Sequence, residues 1–450
     1  MKRETVKTLV LAFLIIVSLF FTWSIWTFQP TLDPIENMRY LENQPLTNEK
    51  REISEVVKPQ QVFYHEGKNH YGADSRIDPI WTSMADWNLG ETKNISKAYD
   101  REKLLAFIHG LDGQKKIELV FSQAVPAKTF QSILNWNSKE ADGHSFDRVI
   151  MPITGVKTAK VYFISTNKNT VMEVKVKHDV IFQLAGKYFS DPQNEYPRYF
   201  DARANKDTIL MLPQEKPVYY RYSYSTERYT GEEFKEALFN NPSYVTSGTD
   251  ISKSIYTDGS RMMVVQSDQR QMSFSYTDTN VKRNAASAPN LSKAMEQSVE
   301  YLNSHGGWTD KYVFFSHNDN NEVSLRMVQN GLPVFASYEP PFVNTQIVQL
   351  WGKNDIIRYV HPTFGLKTPS NGEKVAIENG QQVLDMLKKS TGELSIGNVV
   401  RVFPAYELSR FSEDQNVVVN PAWYAETKSG TYHLIKDPSI VGGGSQDGLE

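Results

Sequence analysis

No cysteine occurs anywhere in this chain. That absence removes disulfides, thiolate metal sites, iron–sulfur clusters and cysteine nucleophiles together, so the fold must be held by its core. Charge of one sign is lacking as well: 49 Lys and Arg stand against 52 Asp and Glu, for a net charge of −3. No basic stretch interleaved with aromatics occurs, so neither a duplex footprint nor a single-strand groove for nucleic acid is expected. A phosphate loop and a dinucleotide fingerprint are also missing. Long hydrophobic runs are absent too, with one exception at the start of the chain.

Between Thr8 and Phe28 no charged residue occurs. A helix needs about 20 apolar residues to cross the hydrocarbon layer, so residues 8–28 are expected to span a membrane. Lys2, Arg3 and Lys7 precede the run against one Glu4, and Asp33 and Glu36 follow it. The positive-inside bias then leaves residues 1–7 in the cytosol and the bulk outside the cell membrane. Trp23, Trp26 and Phe28 fall where the outer headgroup layer should be, as expected of interface anchors in contact with lipid. A cleaved signal peptide is the competing reading. Signal cores run about 7 to 15 residues and end at small side chains, whereas this run ends in Trp-Ser-Ile-Trp-Thr-Phe-Gln-Pro. Retention as a single-pass anchor is therefore expected. Within it Ser18 and Thr22 are four apart and Ala12 lies nearby, which are residues that let membrane helices approach closely. The alternative for the hydroxyls is a bond back to their own helix carbonyls.

The extracytoplasmic remainder exceeds what one core usually serves, and its lack of disulfides fits a bacterium with a single membrane. Residues 29–58 read as a stalk, 59–205 as a first domain, 206–289 as a central domain, 290–440 as a C-terminal domain and 441–450 as a flexible tail. Asp100 caps a short helix bearing Leu104, Leu105 and Ile108. Val161–Ile164 and Val171–Val176 flank a polar turn and predict a hairpin. From about 206 onward one unit recurs three times, an amphipathic helix and then strands. The helices fall at Glu232–Phe239, at Leu291–Ser304 with Asn290 as cap and Gly306 as stop, and at Gln381–Lys389 with Asn379 and Gln382 in capping-box spacing. Segment 284–290 is the best linker. Helices covering one face of antiparallel sheets make the fold class α+β, a transmembrane helix followed by a three-domain ectodomain.

Three constellations invite a chemical reading. Ser165-Thr-Asn-Lys168, Ser316-His-Asn318 and Lys428-Ser-Gly430 occur in the order of the penicillin-binding motifs, but Ser165 and Lys168 fall in a turn where the activating lysine needs a helix. His65 and His70 are five apart, so on a helix they would not share a zinc-binding face. Asp319 with its asparagines lacks the glycine and terminal glutamate of a calcium loop. No catalytic residue, metal or cofactor is therefore expected.

The start Lys-Arg-Glu-Thr with one anchor, Thr22-Trp-Ser-Ile-Trp-Thr-Phe-Gln-Pro30, Gly331-Leu-Pro-Val-Phe335 and Asn420-Pro-Ala-Trp-Tyr-Ala-Glu426 together resemble the YycH family of low-GC Gram-positive bacteria. The resemblance implies a three-domain ectodomain whose latter part is shared with the related protein YycI. It also implies a place in the membrane beside YycI and the cell-wall sensor histidine kinase WalK (YycG). There the anchor helices associate with those of the kinase and modulate it, commonly as a restraint, with no catalytic residues involved. Ala12, Ser18 and Thr22 are the expected partner contacts. A wall-active serine hydrolase of penicillin-binding type and a module binding a wall polymer or peptide are the alternatives.

Overall fold

The structure, a computed structural model, describes residues 2–27, 44–154, 158–276, 290–318, 320–337, 343–353, 355–409 and 416–436. Phe28, half of the expected stalk, most of the 284–290 linker, Asp319 and the 441–450 tail lie outside the described residues. The chain divides into a short N-terminal unit and a body that begins at Asn43.

The N-terminal unit carries one helix, Lys2–Thr27. At about 1.5 Å per residue it is longer than a hydrocarbon layer of about 30 Å. The stretch Val6–Trp23 is apolar enough for a single membrane span by length and composition. Every side chain in it is exposed except half-buried Val17.

The body is α+β. Its first sheet has nine antiparallel strands, from Thr208–Pro213 at one edge through Arg198–Asn205, Asn69–Gly72, Gln61–Glu66, Lys116–Pro126, Ser145–Pro152, Thr158–Ser165 and Thr170–Lys177 to Thr92–Asn94. On one face lies helix Arg101–Ile108, whose Leu104, Phe107 and Ile108 cover Ile150, Ile164 and Val171. Asp100 caps it by accepting from the Lys103 amide. The other face buries an aromatic cluster in which Phe130 meets Trp81, Phe121, Phe146 and Phe163 with ring centroids 5.1 to 6.3 Å apart. Alternation along the strands sends successive side chains to these two covered faces.

Among the described residues the second sheet joins 15 strands. It runs from the edge Thr246–Thr249 through Lys253–Thr257, Arg261–Gln266, Gln271–Tyr276 and Ile356–Pro362 into the strands after helix Leu291–His305. It ends where Val218–Arg228 lies between Val417–Thr427 and Phe364–Pro369. Leu332–Ala336 runs parallel to Val399–Leu408. Each of the three helices packs as its sequence pattern requires. Gly231–Leu238 buries Phe234, Ala237 and Leu238 and starts in a capping box on Thr230 and Glu233. Leu291–His305 starts on the Asn290 side chain and stops at Gly306, whose φ of 66° is left-handed. Gly380–Lys389 has the Asn379–Gln382 capping box and buries Val383, Leu384 and Leu387 against Trp423 and Leu212.

Leu212 belongs to the first sheet, so this last helix joins both sheets. Strand Tyr312–His317 does the same with polar bonds. The Ser122 hydroxyl donates to Phe314 O at 3.2 Å, and the His317 amide donates to Gln123 Oε1 at 2.5 Å.

Candidate functional site

On the N-terminal helix Ser18 and Thr22 share one face, because four residues advance only about 40° beyond a full turn. Ala12 lies about 120° from Ser18 around the axis by the same geometry. The three therefore do not form one stripe. Thr22 Oγ1 donates to Ser18 O at 2.9 Å, so its hydrogen is committed within its own helix and the outward group is its methyl. Trp23 is exposed at the end of the apolar stretch, and Trp26 lies within the last turn.

In the body Ser165 ends strand Thr158–Ser165 and pairs with Thr170 across a turn in which Asn169 has a φ of 51°. Lys168 is exposed on that turn, which leads into strand Thr170–Lys177 and not into a helix, so a lysine one helical turn behind the serine is not available to activate it. Ser316 pairs with Ser324 within its own strand pair, and Lys428 follows the end of strand Val417–Thr427. Ser165 and Lys168 border one cleft together with His317, and Lys428 is not among its lining residues. Asn318 forms a side-chain turn that accepts from the amides of Asn320 and Glu322. Among the described residues no group of three or more His, Asp and Glu side chains is placed to hold a metal ion.

His65 and His70 face each other across a hairpin rather than along a helix. Their Nδ1 atoms are 2.8 Å apart, and His65 Nε2 lies 2.9 Å from Glu118 Oε2. Arg148 Nη1 donates to the other Glu118 oxygen at 2.9 Å. Burial opposes the Glu118 charge, but Arg148 and the His65 bond prevail and hold its carboxyl down at about 2. When His65 carries one proton, that carboxylate holds it at Nε2, so His65 Nδ1 accepts from His70 Nδ1–H. Burial and the neighbouring His65 hold His70 down at about 4, and burial holds His109 down at about 3.

Beside this layer Lys116 is fully buried, with Nζ donating to Phe107 O at 2.6 Å and to Asp112 at 2.8 Å. The hollow bordered by His109, Glu118 and Arg148 measures about 20 Å³, room for one water and not for a substrate. The layer ties the hairpin to strand Lys116–Pro126 through Glu118, and through Arg148 to strand Ser145–Pro152 beyond it. Sequence reading missed Glu118 and Arg148, which carry no local signature.

These features define an α+β protein with one apolar helix suited to a single membrane span and a body whose buried polar clusters fix its sheets. Residues 4–187 match the N-terminal domain of the YycH protein, and residues 207–435 match its C-terminal domain. The chain belongs to the YycH family. It is 29% identical over 453 residues to the two-component system WalR/WalK regulatory protein YycH of Bacillus subtilis strain 168, covering 97% of each chain. In fold it is similar to the crystal structure of YycH from Bacillus subtilis, with a TM-score of 0.73 at 24% identity. That match covers 87% of this chain and 99% of the other.

Proposed function

We propose that this chain regulates a WalR/WalK-type two-component system by contact, with its N-terminus in the cytosol, its helix in the cell membrane and its body outside. The observation that carries the reading is the alignment with a regulator of that system over 97% of both chains. The exposed apolar helix supports a membrane site of action. In this reading the chain performs no chemistry of its own, in keeping with the turn that holds Ser165 and Lys168.

The partners are the membrane helices of the sensor kinase, with YycI as companion and lipid at Trp23, Trp26 and Phe28. Ser18 and the Thr22 methyl form the contact face, and Ala12 serves a second contact on a neighbouring face. Residues 59–205 form the first part, and 206–289 with 290–440, which share one sheet, correspond to the part shared with YycI. Purification of the solubilised full chain from membranes should bring the kinase and YycI with it. A preparation that retains the chain but neither protein contradicts the reading.

A further inference from the structure

The turn Ser165-Thr-Asn-Lys168, which the enzyme reading leaves without a role, borders a cleft of about 340 Å³. Strand Val399–Leu408 forms another wall through Arg401, with Glu426 from the neighbouring strand. That volume is in the range of small-ligand pockets. Arg401 also borders two hollows of about 20 and 10 Å³, which hold at most a water.

The buried hydrogen-bonding capacity left unmet at this cleft is of one kind. Arg401 is 8% exposed, and its Nε donates to Glu426 Oε2 at 3.0 Å. Its Nη1 and Nη2 are enclosed without a well-aligned hydrogen bond, with the Phe403 ring 4.6 Å from the guanidinium and the Tyr432 hydroxyl beside it. Arg148 Nε is in the same state, with Asp147 Oδ2 3.9 Å away. Burial, and then Glu426, hold the Tyr432 hydroxyl above its ordinary pKa, so it meets the Arg401 guanidinium as a neutral acceptor and brings no negative charge to it. The two carboxylates of the lining are already engaged. Asp147 accepts from the Thr166 amide at 2.7 Å and its hydroxyl at 2.6 Å, and Glu426 holds Arg401. Every buried unsatisfied polar atom among the lining residues is thus an N–H donor. At the rim Asn167 and Lys168 are exposed.

Buried donors without acceptors are costly, and those carrying charge more so. We propose that this cleft binds a compact anion, a carboxylate or phosphate group, held directly by Lys168 and Asn167 at the rim and by the charges of Arg148 and Arg401 in its wall. A cation would meet carboxylates that are already bonded, whereas Arg148 and Arg401, though paired with Glu118 and Glu426, keep N–H groups without a well-aligned acceptor. An acceptor-rich group matches the unsatisfied donors, and Arg is the side chain best suited to carboxylate and phosphate. The site goes beyond the contact-regulator reading, and its failure would leave that reading standing.

Calorimetric titration of the detergent-solubilised full chain tests it, with N-acetylalanine, inorganic phosphate and the neutral N-acetylalaninamide as probes. At least one anion should bind and the amide should not. Binding of N-acetylalanine identifies a peptide-type carboxylate as the source, and binding of phosphate a phosphate group. Lys168→Glu, on an exposed turn and expected to melt like wild type, should weaken binding about tenfold or more, the scale of one charged hydrogen bond. Arg401→Gln should weaken it similarly, and where that variant fails to fold Lys168→Glu decides. No binding of either anion, or undiminished affinity in Lys168→Glu, overturns the proposal.

Discussion

The side-chain amide of Asn303 brackets the backbone of Arg51: Oδ1 accepts from Arg51 N at 2.9 Å, and Nδ2 donates to Arg51 O at 2.9 Å. The same Oδ1 accepts from Trp308 Nε1 at 2.7 Å, and the Arg51 guanidinium lies 4.8 Å from the centre of a Trp308 ring. Leu46 and Thr47 donate to the last carbonyls of the same helix, His305 O and Gly306 O. The first described stretch of the body is therefore fastened to helix Leu291–His305, far along the sequence. Any pull transmitted along the chain into the body would enter there.

Asn303→Ala strips three hydrogen bonds from this fastening at once. Stability should fall by about 1 to 3 kcal/mol, the scale of leaving buried polar groups unpaired. Protease should also cut residues 44–51 sooner than in wild type, because the backbone there loses its ties. Denaturant unfolding and timed proteolysis read both effects. Unchanged stability would show that Arg51 is held by its neighbours alone.

The buried histidine pair predicts a pH dependence with a definite sign. An unfolded histidine titrates near 6.5, while His70 in the fold is held at about 4. The unfolded chain therefore binds this proton first. The stability tied to His70 is complete above about pH 6.5 and is lost as pH falls toward 4, by up to about 3 kcal/mol. His70→Asn keeps a donor toward His65 but cannot titrate. Its stability difference from wild type should shrink steadily between those two pH values. His109 at about 3 titrates in the same direction, whereas Asp74, pushed up to about 7, and Asp310, pushed up to about 6, titrate in the opposite one. Asp74 and Asp310 do not feel His70 and cancel in the difference, whereas His109 feels the His70 charge and adds to the difference with the same sign. A difference independent of pH contradicts the account.

Gly380 opens its helix where the helix meets the first sheet. An added Cβ would lie 2.6 Å from both Leu212 Cβ and Pro213 O. Helix propensity alone would favour alanine by about 1 kcal/mol at most, but overpacking costs about 1 to 3 kcal/mol. Gly380→Ala should therefore lower the melting temperature. A rise would mean that the two sheets can separate slightly at this contact without loss.

Helices with local signals were legible in the sequence. Asn290 with Gly306, Asn379 with Gln382, and Asp100 each mark an end through a hydrogen bond made within a few residues. The hairpin around Ser165–Thr170 was legible for the same reason. Helices Ile77–Ala85, Ala127–Ile133 and His178–Tyr188 were not, since none has a side-chain cap bond and their burial depends on a sheet assembled from distant segments. Val218–Arg228 could not be placed between Val417–Thr427 and Phe364–Pro369 from pattern alone, because pairing partners so far apart leave no periodic trace. The polar layer behaves alike: Glu118 is 53 residues from His65, and only the sheet brings them together. Arg401 looked like an ordinary strand residue until the cleft gave it neighbours.

Small changes on the membrane helix should act on signalling without acting on folding. Ser18→Leu and Thr22→Leu replace the shared face with bulk where helix packing contributes about 0.6 to 2 kcal/mol per contact. Kinase output, read from a WalR-dependent reporter, should shift toward that of cells lacking the chain while membrane level and insertion stay constant. Ala12→Leu, on the neighbouring face, should have a separate and additive effect.

The most direct test replaces residues 8–28 with an unrelated apolar helix of the same length and leaves the body intact. With equal protein in the membrane, the account predicts that the chimera no longer modulates the kinase, as measured by the reporter. A chimera that regulates as wild type does would place control in the body and reduce the helix to a tether.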